Sequence, residues 1–174
     1  LLRRRLIRFR DAFWGIGWRI KFEPKEKVAI DALVTYLRQS FLPSLFGQIG
    51  VVREWNLVAN QVKGEMALTL VAHLSPQTEI VENRLFGALE HLAQKGLTEK
   101  DLSWLKRFLN FQCYRLFNEP SILACELGIA WAIWDDPTIV ERYGKAIENL
   151  RAKDISQIAA RLLSTRPIVV TVRK

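Results

Sequence analysis

The sequence is poor in the residues that carry most site chemistry. Its 174 residues include two cysteines, two histidines and one methionine. The histidines, His73 and His91, are far apart, one on a strand pattern and one on a helix pattern. Two imidazoles one helical turn apart, the spacing that holds zinc with a nearby carboxylate, are therefore missing. No metal or other cofactor is expected, and both histidines read as surface or partly buried structural residues. No uninterrupted apolar run approaches the roughly 18 residues that a membrane-crossing helix needs. Gly15-Ile16-Gly17 lacks the third glycine and following helix of a dinucleotide loop. Ser40, Ser44 and Ser121 have no readable histidine and acid beside them. Cys113 and Cys125 fall on successive helix patterns and are expected as reduced, packing thiols. No set of catalytic residues is visible.

Positive charge is in excess, with 26 Lys and Arg against 18 Asp and Glu, a formal +8. Arg3, Arg4, Arg5, Arg8 and Arg10 supply much of it near the start, interleaved with Leu6, Ile7 and Phe9. Residues 1–10 are therefore expected as a basic arm or linker, and residues 11–174 as a single domain. Such an arm can hold nucleic acid or an anionic membrane surface. Packing against a neighbouring protein is the favoured use, because aromatic RNA-binding signatures and glycine clamps are missing. Arg3, Arg4, Arg5, Leu6 and Phe9 are the candidate partner-binding residues. The chain begins with leucine and its only methionine is Met66, which suggests a processed or truncated polypeptide.

The pattern of elements is clearer than the chemistry. Trp14, Ile16, Trp18, Ile20 and Phe22 alternate with Gly15, Gly17, Arg19 and Lys21, the period of a strand with one apolar face. Val28, Ile30, Ala32, Leu33, Leu37 and Phe41 suit a helix, and Pro43, Gly47 and Gly50 mark 42–50 as a loop or a short helical turn. Two strands over 51–62 and 65–74 meet at Lys63-Gly64, a reasonable hairpin connection. Five helices follow, over about 78–95, 99–117, 121–134, 137–150 and 153–164. Thr98 is placed to cap the second, with Asp101 completing an approximate capping box. Asp135 and Asp136 read as the end of the third and the cap of the fourth, while Trp131 and Trp134 read as core or interface, with core favoured. Ile168–Val172 reads as a buried strand returning to the sheet. Strands segregated from a run of helices imply an α+β domain, a mainly antiparallel sheet with helices packed on one face.

Three stretches carry a resemblance. Gly96-Leu97-Thr98-Glu99-Lys100-Asp101-Leu102 with Lys106, the helix from Tyr143 to Ile155, and the strand Ile168–Val172 together resemble one homologous half of the insulinase and mitochondrial processing peptidase family of zinc metallopeptidases. The resemblance covers roughly residues 12–173 and implies a two-layer metallopeptidase-half fold. Catalytic halves in that family carry His-x-x-Glu-His and a later glutamate, which this sequence lacks, so it resembles a non-catalytic, C-terminal-type half. Such halves also present an arginine and a tyrosine toward substrate near the hairpin start. Here Gly47 falls at the arginine and Arg53 near the tyrosine, and the alternative register puts Asn60 in the tyrosine's place. Neither register keeps the pair.

The resemblance therefore implies a domain that is not an enzyme by itself. It would pair with a catalytic-type half or subunit, or form a homodimer, and add chamber wall and peptide-binding surface. Arg53, Glu54 and Trp55 are the candidate peptide-binding residues. The alternative is a repurposed basic binding or assembly subunit with no role in proteolysis.

Overall fold

A computed structural model describes residues 3–8, 13–49, 52–62, 64–74 and 78–173; the side chains of 3–8, Ile49, Val52, Arg53, Leu74 and Arg173 lie outside the described set. The chain runs β1 (Arg3–Arg8), β2 (Phe13–Lys21), a 3-10 turn (Pro24–Glu26), α1 (Lys27–Tyr36), a π-turn (Leu37–Phe41) and α2 (Leu42–Ile49). It continues with β3 (Val52–Val62), β4 (Glu65–Leu74), α3 (Thr78–Lys95), α4 (Glu99–Asn118), α5 (Pro120–Trp134), α6 (Thr138–Asn149), α7 (Ala152–Ser164) and β5 (Ile168–Arg173). The fold is α+β, as the segregated pattern implies.

The sheet order is β1-β5-β2-β4-β3. All neighbours are antiparallel except the β1–β5 edge pair, which is parallel. Residues 3–8, expected as an arm or linker, are therefore an edge strand paired with the last strand of the chain. Arginine-rich sequence fits an edge, where charge discourages further pairing.

The expected strand register holds. Trp18 pairs with Leu68, Ile16 with Leu70 and Ile20 with Met66, and all six are buried. The β3–β4 hairpin turns at Gly64, whose φ of 70° favours glycine.

Helices cover this apolar face: α7 packs against β2, α3 and α1. Val81, Leu85, Leu89 and Leu92 of α3 and Ile155, Ile158, Ala159 and Leu162 of α7 complete the core. Each large apolar side chain so buried contributes about 1.5–3 kcal/mol. Two tryptophans bring polar groups inside. Trp14 Nε1 donates to Glu82, which is buried on α3, at 2.9 Å. Trp18 Nε1 is buried with no partner among the described residues.

Helices α4, α5 and α6 pack on one another and reach the body of the domain through α1. Thr98 caps α4 as expected, accepting from the Asp101 amide at 3.1 Å. The box is incomplete in form, because the Asp101 carboxylate takes the Thr98 hydroxyl at 2.7 Å. Asp135, left-handed at φ 55°, ends α5, and Asp136 Oδ1 accepts from the Thr138 amide at 3.0 Å.

One expectation is narrowed and another corrected. Of the loop or short helical turn expected over 42–50, the described residues 42–49 take the helical form, joined to α1 through the π-turn. Pro43 has no N–H to offer a preceding carbonyl, and a widened turn upstream makes room for its ring. Trp131 is 62% exposed, and only Trp134 contributes to the core, meeting Phe22 edge-on at 5.0 Å. Both cysteines are free thiols, Cys113 buried and Cys125 exposed on α5.

Candidate partner and peptide interface

The second face of the sheet is the domain's most distinctive surface. Side chains alternate across a strand, so burying Trp14, Ile16 and Trp18 turns Phe13, Gly15 and Gly17 to the other side. β5 and β4 flank them there with Ile168, Val170, Val172, Thr69 and Val71, and together they line an open trough of about 330 Å³. Its floor is low because the two middle positions of β2 lack side chains. A Cβ on either glycine would meet its neighbours only at ordinary contact distances of 3.6–3.8 Å, so no close packing within the chain demands glycine.

The trough is apolar and open to solvent. Phe13 is 38%, Val71 41% and Ile168 57% exposed. Phe13 is held at one end by stacking on His73, with ring centroids 4.8 Å apart. Central strands of a sheet rarely leave such side chains to water, and contiguous exposed apolar surface of this kind marks an interface. At the rim, the β1–β5 register sets Arg3 beside Ile168 and Arg5 beside Val170. Arg4 and Leu6 pair with Val169 and Thr171. Phe9 lies outside the described residues.

The opposite edge is β3. Its register with β4 slips by one residue between Val52 and Trp55, a bulge centred on Arg53 and Glu54. Bulges bend a strand and re-aim its side chains, and an edge strand leaves a row of backbone groups free to pair. Glu54 is exposed. Trp55 is half-buried and tilts over Phe46 of α2, centroids 5.5 Å apart. The three candidate peptide residues are thus consecutive on an edge, while the candidate partner residues Arg3, Arg4, Arg5 and Leu6 belong to the other edge strand.

A third feature was not singled out from the sequence. Between α1 and the α4–α6 group runs a cleft of about 460 Å³. Tyr143 of α6 donates its hydroxyl to Asp31 Oδ2 at 2.6 Å, Lys27 donates to the same oxygen at 2.7 Å, and Gln61 of β3 approaches Oδ1 at 3.4 Å. The Lys27 ammonium also lies 5.2 Å from the centre of the Tyr143 ring. Burial first, and then the Asp31 charge, push the Tyr143 hydroxyl well above the usual tyrosine range. It therefore stays protonated as a donor, and the cluster ties α6 to α1. The one local sequence signal was the i, i+4 spacing of Lys27 and Asp31.

The described residues hold no group of three or more His, Cys, Asp or Glu arranged to bind a metal ion. His91 is exposed on α3. Burial raises the Cys113 thiol, which makes it a poor nucleophile.

No protein-family model matches the sequence, and no curated protein matches it. Solved structures do match in shape, and they define the class: the chain has the fold of a domain of insulinase-type zinc metallopeptidases. A protease from Helicobacter pylori superposes over 98% of this chain and 44% of its own length, at TM-score 0.83 and 18% identity. The periplasmic protease PqqL from Escherichia coli matches 99% of this chain and 20% of its own, at TM-score 0.81 and 12% identity. More particularly, an inactive domain of a peptidase of the M16 family from Pseudomonas fluorescens matches 99% of this chain and 43% of its own, at TM-score 0.79 and 10% identity. The chain thus spans less than half the length of each of these proteins. Both the fold class and its likeness to inactive halves agree with the sequence resemblance.

Proposed function

We propose that the chain is a non-catalytic peptidase-like domain that pairs with a catalytic zinc-peptidase half or subunit, or with a second copy of itself. In that role it contributes chamber wall and peptide-binding surface. The observation that carries this reading is the uncovered apolar trough on a sheet whose other face is covered by helices. Pairing would cover Phe13, Val71 and Ile168, with Arg3, Arg4, Arg5 and Leu6 of the neighbouring edge strand as further contacts and Phe9 following them. Arg53, Glu54 and Trp55 on the free β3 edge are the residues assigned to peptide. An extended peptide added there would gain main-chain hydrogen bonds along with side-chain contacts.

The alternative, a basic assembly subunit outside proteolysis, is favoured only by the +8 charge and the arginines of β1. Metal analysis and peptide cleavage by the chain alone, then with a zinc-bearing insulinase-type half, test the reading. The chain alone should carry no stoichiometric zinc and show no chelator-sensitive turnover, and it should bind the zinc-bearing half. Stoichiometric zinc with turnover by the chain alone would overturn it. Salt-sensitive binding to nucleic acid or anionic vesicles, without pairing, would favour the alternative.

A further inference from the structure

The chain's charge is unevenly placed, and the unevenness bears on what covers the trough. The five strands carry eight Arg and Lys against two Glu, a net +6 of the chain's +8. The rest of the chain is close to neutral. Arg19 and Lys21 continue the line of Phe13, Gly15 and Gly17 along β2, and both are exposed. Arg3 and Arg5 hold the register positions beside Ile168 and Val170. The one acid facing this way is Glu65, opposite Lys21 in the register, and Arg19 donates to it at 2.6 Å. That pair turns its cationic member outward, with 75% of the Arg19 side chain exposed against 23% of Glu65. Lys21 forms no ion pair among the described residues. Glu54, the other acid of the strands, stands at the β3 bulge, with β4 between it and the trough.

We propose that the trough is covered by an acidic, apolar segment of a different protein. Its apolar side chains would seat over Gly15 and Gly17, with Asp or Glu beside Arg19, Lys21 and the β1 edge. This rests on the reading that the sheet face pairs, and it names the chemistry of what pairs there. Charge decides against a second copy, because two such faces would bring like charges together, whereas complementary charge favours encounter and fixes register. Shape decides against a membrane. A surface that enters a bilayer interface presents projecting apolar side chains, and here the middle of the apolar patch is its lowest part. Single-stranded nucleic acid stacks its bases on aromatic rings. The walls of the trough are aliphatic, and its one ring, Phe13, is already stacked on His73.

Selection of a random phage-displayed peptide library on the intact chain tests it, with counter-selection on Gly17→Leu, which raises the floor and leaves the charges alone. A Cβ at Gly17 meets its neighbours at 3.7 and 3.8 Å, so that variant is expected to fold. Peptides that bind the chain and not the variant should combine Leu, Ile, Val or Phe with Asp and Glu. Their affinity should fall as salt is added. Arg19→Gln with Lys21→Gln, both at exposed positions, should weaken them about threefold or more. If Gly17→Leu does not fold, NMR shifts of the Val71 and Ile168 methyls on adding the selected peptides locate the site instead. Trough-dependent peptides that are uncharged or basic, or that ignore salt and the double substitution, would overturn the inference and leave pairing through this face intact. The absence of any trough-dependent peptide would overturn it too, and binding of a zinc-bearing insulinase-type half would then show whether the pairing itself fails. Binding of phosphatidylserine–phosphatidylcholine vesicles or of polyuridylate that Gly17→Leu abolishes would overturn it by giving the face to a membrane or to RNA.

Discussion

Trp18 shows how much one side chain contributes here and how its role could be read in advance. Alternation placed it on the apolar face of β2, and it is 4% exposed, edge-on to Phe86 with centroids 6.3 Å apart. Trp18→Ala is expected to cost about 3–5 kcal/mol, measured by chemical denaturation. A loss near zero would mean that the face is not core. The unpartnered indole N–H could not be foreseen, because alternation assigns a face and says nothing of what stands opposite a ring nitrogen. Glu26 is a second such case. It accepts from Arg161 at 2.6 and 3.0 Å, joining the turn before α1 to α7. Those hydrogen bonds chiefly hold its carboxyl below the usual glutamate range. A lowered folded pKa gives stability that is present above the ordinary value, about 4.3, and is lost as pH falls through the lower folded one. Arg161→Gln should therefore flatten the acid limb of the stability–pH curve below about pH 4.3, while an unchanged limb would show that the pair contributes nothing to it.

At the scale of elements, periodicity located every helix from α3 to α7 to within a residue or two, because long amphipathic stripes and local caps agree there. It failed where a local breaker was outvoted. Pro43 read as a stop, yet α2 runs through it, since Leu42, Leu45 and Phe46 are buried and the π-turn absorbs the missing bond. It also failed at β1, where the run Arg3-Arg4-Arg5-Leu6-Ile7-Arg8 does not alternate and so gives no strand signal without the partner, β5. Trp131 was misjudged because α5 is apolar on all sides, so no moment marks its buried face; only Ala130 is buried. The joint between α3 and α4 gives the sharpest test at this scale. Gly96 has φ 72°, and an added Cβ would stand 3.1 Å from Ser156 Oγ, a hydroxyl already donating to the Ala152 carbonyl. The left-handed backbone alone costs a non-glycine residue about 1–2 kcal/mol. Gly96→Ala should therefore lower stability by about that much, read as a shift in denaturation midpoint, with helix content retained below the transition. An unchanged midpoint would show that the turn relaxes at no cost.

At the scale of the whole molecule, the sequence indicated one apolar face of the sheet but not the bareness of the other. In the sequence Gly15 and Gly17 are only positions that alternate with the apolar residues of β2; between Ile168, Val170 and Val71 they become the floor of a trough. That conversion depends on β5 lying beside β2, a long-range pairing that no local pattern specifies. It also separates stability from association. Val71 and Ile168 contribute little to the core at their exposures, so Val71→Glu with Ile168→Glu should leave folding stability within about 1 kcal/mol, the span of strand preferences. The same pair of charges placed in a covered apolar interface would each need a partner that the interface does not offer, and desolvating them would oppose assembly. Sedimentation of the chain, alone and with a zinc-bearing insulinase-type half, should therefore show association that the double variant loses while its far-ultraviolet circular dichroism stays the same. Association of equal strength in the variant would move the interface off this face, and a chain that stays monomeric under both conditions would remove the ground for pairing altogether.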